Sequence, residues 1–90
     1  METAPSLAPS NMAALKEDIR GGRIMVPKAL VGLAQYALAN PKDVAFMTCR
    51  ELAEAAGGSP ASVIRLSRIF GFRGFVEFRD LLRREFGRRG

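Results

Sequence analysis

Apolar positions along this chain recur at intervals of three and four, the spacing that places side chains on one face of a helix. Met12, Leu15 and Ile19 form a first row, with Asn11 placed to cap its start and Gly21-Gly22 to end it. Leu30, Leu33, Ala34, Ala37 and Leu38 form a second and clearer row. Pro27 suits the first turn of that helix, where its missing N–H is not needed. Asn40-Pro41 stops the second helix and starts a short one over 41–46, anchored by Val44 and Phe46. Residues 1–10 are small, proline-containing and without periodicity, which predicts a flexible tail.

Thr48-Cys49-Arg50-Glu51 has the spacing of a capping box, in which threonine oxygen and glutamate carboxylate each satisfy a backbone N–H at a helix start. The helix it opens runs through Leu52, Ala53 and Ala56 to Gly57-Gly58. Ser59-Pro60 then supplies a cap and first residue for a helix reaching Phe70, which Gly71 closes. A last helix carries Phe75, Phe78, Leu82 and Phe86 on one narrow stripe. Strand-like alternation, repeats and long heptad runs are missing. The expected fold is all-α, a compact bundle of about five to six short helices. Residues 11–87 form its one domain, and 88–90 a basic tail toward a possible further domain.

Two helices joined through Ala56-Gly57-Gly58-Ser59 have the spacing of a helix-turn-helix, with the motif at about 48–70. Ala53 is small where the second helix crosses closest, while Leu52, Val63 and Leu66 fill the space between the helices. With Val63 facing inward, Leu66 and Phe70 join it on the inner stripe with Ser67 nearby. Ala61, Ser62, Arg65 and Arg68 then point outward. That face suits a major groove: arginine binds guanine O6 and N7 with two bonds, serine meets bases or phosphates, and alanine permits close approach or touches a thymine methyl. The N–H groups at the start of this helix, at Ser59, Ala61 and Ser62, can hold a phosphate. Arg65 is the candidate base reader, and Arg68, Arg73, Arg50 and Thr48 are candidate phosphate contacts.

Charge strengthens this reading. Residues 1–58 hold six Lys/Arg against six Asp/Glu, whereas residues 59–90 hold eight arginines against three acids, so the whole net charge of +5 lies between the start of the proposed reading helix and the C-terminus. Arg79, Arg83, Arg84, Arg88 and Arg89 read as a solvated basic face or a route to a further domain. With no histidine and one cysteine, Cys49, the chain has no internal disulfide, no imidazole-based triad and no zinc knuckle. Glu51 and Glu54 resemble a carboxylate pair only in spacing, and a cap and an exposed face account for them. Phe70, Phe72, Phe75, Phe78 and Phe86 fall at core spacing rather than as a base-stacking platform, and Tyr36 reads as a half-buried helix residue. Neither a Walker nor a dinucleotide glycine pattern occurs, so no enzyme activity and no cofactor or metal are expected. The uncharged run from Ala29 to Pro41 is too short to cross a bilayer, and the N-terminus lacks the pattern of a secretory signal, so a cytoplasmic setting without a membrane partner is expected.

The run from Leu52 to Leu82 resembles the N-terminal DNA-binding domain of RpiR-type regulators, bacterial transcription factors of sugar-phosphate metabolism. The order LAE-x-AG, SP-x-(S/T)-V-x-R and GF-x-G-F-x-x-F appears as Leu52-Ala53-Glu54, Ala56-Gly57, Ser59-Pro60, Ser62-Val63, Arg65, Gly71-Phe72, Gly74-Phe75 and Phe78. The resemblance extends over roughly residues 12–86, including Asn40-Pro41 and Val44. It implies an all-α domain without a wing that binds operator DNA, normally followed by a sugar-isomerase-type domain that senses a phosphosugar. Such a domain is not contained in these 90 residues, so a phosphosugar effector is expected only through it.

Three positions depart from the family. Gly58 stands where an aliphatic plug is usual, a loss worth about 1–3 kcal/mol if it empties space between helices. Ile69 stands where a polar residue is usual, off the core stripe, to touch a partner subunit or nothing. Met25-Val26-Pro27 lacks the usual hydroxyl cap. The functional expectation is sequence-specific binding of double-stranded DNA, with a homodimer on a pseudo-palindrome in the full-length protein. The other reading is a helical protein-interaction module whose basic face meets an acidic protein.

Overall fold

The computed structural model describes residues 8–87, in which every regular element is helical. Helix α1 spans Met12–Arg20, α2 Val31–Ala39, α3 Pro41–Val44, α4 Cys49–Ala56, α5 Pro60–Ile69 and α6 Phe75–Phe86. The caps explain most of these limits. The Asn11 side chain accepts from the Ala14 N–H at 2.7 Å and starts α1. Thr48 Oγ1 accepts from the Glu51 N–H at 3.1 Å while Glu51 accepts from the Thr48 N–H at 2.8 Å, so both halves of the capping box are made. Ser59 Oγ accepts from the Ser62 N–H at 3.2 Å, with Pro60 following as the first residue of α5.

Gly57 ends α4 with φ of 77°, a left-handed conformation that lets the Gly58 N–H reach back to the Ala53 carbonyl at 2.8 Å. Gly71, with φ of 103°, does the same after α5, and the Phe72 N–H bonds to the Ser67 carbonyl at 3.0 Å. Both reversals are set within a few residues of sequence.

Several local expectations are corrected. Pro27 does not lie in the first turn of α2. It stands in extended conformation ahead of a 3₁₀ turn, Lys28–Leu30, and α2 starts only at Val31. With no side-chain oxygen available at Pro27 to cap a start, the tighter bond from the Leu30 N–H to the Pro27 carbonyl at 2.8 Å takes up the entering chain. Helix α3 stops at Val44, not at residue 46. Bonds from the Phe46 N–H to Asp43 and from the Met47 N–H to Val44 tighten the turn, which buries Ala45 with Val44 and leaves Phe46 59% exposed. Asn40-Pro41 does end α2 and start α3, as expected: the Asn40 side chain donates to the Tyr36 carbonyl at 2.9 Å, and its carbonyl, not its side chain, takes the Val44 N–H of α3 at 3.0 Å. Of the expected tail, residues 1–7 and likewise 88–90 lie outside the described residues, while Pro9 is buried and Ala8 packs against the core.

Helix α4 packs on α2 and α5, and α6 receives α1, α3 and α5. Leu52, Ala53, Val63 and Leu66 are buried at the α4–α5 seam as their spacing predicts. Ser67 is buried too, its hydroxyl bonded to the Val63 carbonyl at 2.9 Å. Phe78 joins α6 to α5, with its ring 5.4 Å from Phe70 edge-on and 5.5 Å from Phe72. These rings, with Phe75, are buried, and none is presented for base stacking. Tyr36 is half-buried, and Ile69, expected to stand off the core, packs partly against it.

Gly58 is exposed, and a Cβ placed there meets only Ser62 Cβ at 3.9 Å. No void between helices waits for a plug at that position. Gly58→Val is therefore expected to stabilise the fold and raise Tm through the unfolded chain alone, a gain of about 0.4–1 kcal/mol rather than the larger gain of cavity filling. Gly57→Ala has the opposite sign, a loss of about 1 kcal/mol or more, because its φ is left-handed. Thr48→Ala is expected to cost about 1 kcal/mol by removing the box. Urea and thermal unfolding of the three variants check all of these signs, and a Gly57→Ala protein as stable as the parent would overturn the turn assignment.

Candidate nucleic-acid interface

The motif consists of α4, the turn Gly57-Gly58-Ser59 and α5, held by the buried seam beneath. On the far side of α5, Ala61, Arg65 and Arg68 are exposed and Ser62 is half-buried. The Arg65 side chain forms no ion pair or hydrogen bond among the described residues, so its guanidinium keeps all of its donors free. The surface ion pair that could have claimed it is not formed.

The other candidates are placed unequally. The side chains of Arg50 and Arg73 are exposed and likewise unpaired among the described residues. Arg68 Nε donates to the Arg73 carbonyl at 3.1 Å, tying the end of α5 to the loop after it and leaving the rest of its guanidinium outward. Ser59 Oγ and Ser62 Oγ lie 3.0 Å apart, and Ser59 also receives the Ser62 N–H, so these hydroxyls are partly used by the helix start itself. Thr48 Oγ1 is committed to the capping box. What α4 offers an anion at its start is instead the backbone: the N–H groups of Cys49 and Arg50 have no partner among the described residues. Thr48 and Arg68 come together along one open groove on the flank of α5, which Ile64, Phe75 and Glu77 also line.

Sequence spacing missed two arginines. Arg79 and Arg83, expected on a solvated basic face, are both tied to the loop between α3 and α4. Arg79 Nη1 donates to the Met47 carbonyl at 3.3 Å with its guanidinium 5.6 Å from the centre of the Phe75 ring. Arg83 Nε donates to the Ala45 carbonyl at 2.6 Å and its guanidinium lies 5.7 Å from the Phe46 ring. Their spacing of four on α6 is visible in the sequence, but a carbonyl partner more than thirty residues away leaves no local signal.

Cys49 donates its Sγ proton toward the Pro60 carbonyl at 3.5 Å, and burial pushes its thiol up from the ordinary value. It stays a neutral thiol near pH 7. Glu51 serves the cap, and Glu54 is exposed. Among the described residues no cluster of ligating side chains could hold a metal, and no helix is long and apolar enough to cross a membrane.

Comparison with known proteins agrees with this geometry. The family described as "Helix-turn-helix domain, rpiR family" matches residues 15–89. A protein of Providencia stuartii named "Uncharacterized HTH-type transcriptional regulator in aarA 3'region" is 45% identical over 47 residues, 52% of this chain. That alignment spans only 17% of the relative's own length. No solved structure matches the chain significantly. A family match running from α1 through α6, over an all-helical fold with an exposed basic second motif helix, leaves one conclusion: the chain belongs to the rpiR family of helix-turn-helix domains, the DNA-binding part of transcriptional regulators.

Proposed function

We propose that this domain reads the sequence of double-stranded DNA with α5, in a regulator of sugar or sugar-phosphate metabolism. The observation that carries the reading is Arg65, exposed and unpaired on the outward face of the second motif helix. In a major groove its fork binds guanine O6 and N7 with two bonds, while Ala61 allows close approach and Ser62 contributes a hydroxyl. Arg50, Arg73 and the outward part of Arg68 meet phosphates, joined by the free N–H groups at the start of α4 beside Thr48 and by the start of α5 at Ser59. These contacts fix the register in which Arg65 reads.

The regulatory frame rests on the family. The full-length protein binds a pseudo-palindrome as a homodimer, one copy per half-site, in the cytoplasm and without an enzyme activity of its own. A phosphosugar acts on it only through a further C-terminal domain. One copy of the isolated domain binds weakly, because half of the contacts and the avidity are missing.

Fluorescence anisotropy against random duplex DNA and a selected-site pool, at two salt concentrations, tests this. Arg65→Ala is expected to lose about 1–3 kcal/mol of discrimination between the two pools. Arg73→Ala is expected to weaken binding to both equally and to lower the salt slope by about one. Unchanged DNA affinity in Arg65→Ala would reassign the basic face to an acidic protein partner.

A further inference from the structure

The loop from Ala45 to Thr48 carries the start of α4; its own residues hold it through the buried Ala45, the half-buried Met47 and the bonds from the Phe46 and Met47 N–H groups to the Asp43 and Val44 carbonyls. Two guanidiniums of α6 reach across to it. Arg83 takes the Ala45 carbonyl at 2.6 Å and Arg79 the Met47 carbonyl at 3.3 Å, two residues further on, so the loop is gripped at alternate carbonyls. Each guanidinium is steadied by an aromatic face, Phe46 under Arg83 and Phe75 beside Arg79. Arg79 Nε is enclosed without a partner, an arrangement that the guanidinium accepts while its Nη1 reaches Met47. The grip ends one residue before Thr48, where the capping box begins and the unpartnered N–H groups of Cys49 and Arg50 come next.

We propose that Arg79 and Arg83 are positioning residues for DNA binding: they touch no DNA, but hold the loop so that the start of α4 meets a backbone phosphate while α5 lies in the groove. The proposal rests on the DNA-binding reading above and adds the part of the molecule that sets its geometry. Two contact surfaces on one duplex must keep a fixed spacing, because an ångström of play at one is lost at the other. Helix α5 is fixed by the core. The start of α4 is held on the α5 side by Cys49 Sγ, 3.5 Å from the Pro60 carbonyl, and by the buried Leu52 and Ala53, so the two arginines supply its hold on the loop side.

The side chain of glutamine places an amide N–H where arginine has its Nε, so Arg83→Gln keeps the donor to Ala45 and removes the charge, whereas Arg83→Met keeps the length and removes both. A positioning role predicts that Arg83→Met loses about tenfold in affinity for random duplex DNA, the weight of one hydrogen bond from a charged donor. Arg83→Gln should stay within about twofold of the parent, with the salt slope unchanged in both. In the free protein, amide hydrogen exchange at Met47, Thr48 and Glu51 should quicken in Arg83→Met and not in Arg83→Gln. Arg79→Met, which cuts the other tie, carries the same expectation should Arg83→Met fail to fold.

Equal losses in the glutamine and methionine variants, with a salt slope lower by about one, would make Arg83 a phosphate contact and overturn the proposal. Parental affinity and exchange in Arg83→Met would overturn it as well. If the parent domain binds no duplex DNA even at low salt, the functional reading itself falls, and the exchange measurement still decides whether the arginines hold the loop.

Discussion

The insertion of Phe78 between Phe70 and Phe72 is the contact on which the rest of the molecule depends. Burying a phenylalanine contributes about 1.5–3 kcal/mol, and an edge-on pair adds about 0.5–1.5 kcal/mol. It joins α6 to the end of α5 and to the loop that follows α5. Phe70 caps the end of α5 and Phe72 comes directly after the left-handed Gly71, so one ring from α6 locks both the second motif helix and its exit. The outward direction of Arg65 is a consequence of that lock. Once Val63, Leu66 and Phe70 are committed inward, the opposite side of α5 can only face solvent or DNA.

The same ring sets where α6 presents its charges. Arg79 and Arg83 lie on a row beside the Phe75, Phe78 and Leu82 stripe, close enough to the apolar edge for their stems to be partly covered and their heads to reach backbone carbonyls. Net charge alone treats all arginines after residue 58 alike. Among the described residues the fold divides them into those with free donors, Arg65, Arg73 and Arg84, and three that each give a donor to a backbone carbonyl, Arg68, Arg79 and Arg83. A basic total therefore overstates the free donors offered to DNA, since part of them go to the chain's own carbonyls.

Much of the fold was legible because its starts and stops are short-range. Asn11, Thr48 with Glu51, Ser59-Pro60, Gly57 and Gly71 each act on a backbone group within five residues, and the structure makes each of those bonds. The α4–α5 seam was legible for a related reason, since helical spacing names which side chains share a face before any partner is known. Gly58 shows the opposite case. A family habit suggested a missing plug, but exposure at a turn depends on how the two helices cross, which spacing does not give. Ile69 likewise gained a partly buried place from segments that arrive later in the chain.

Local sequence was enough for the helical class of the described residues, the limits of the two motif helices and the outward face that carries Arg65, because hydrogen bonds between near neighbours and the 3.6-residue period decide these. Tertiary structure alone decided that Phe46 turns out while Ala45 turns in, that Pro9 is buried, and that Arg79 and Arg83 hold the loop before α4. Each of those outcomes is a competition among distant segments for one patch of buried surface or one unsatisfied carbonyl, and the winner is fixed only when the helices have packed.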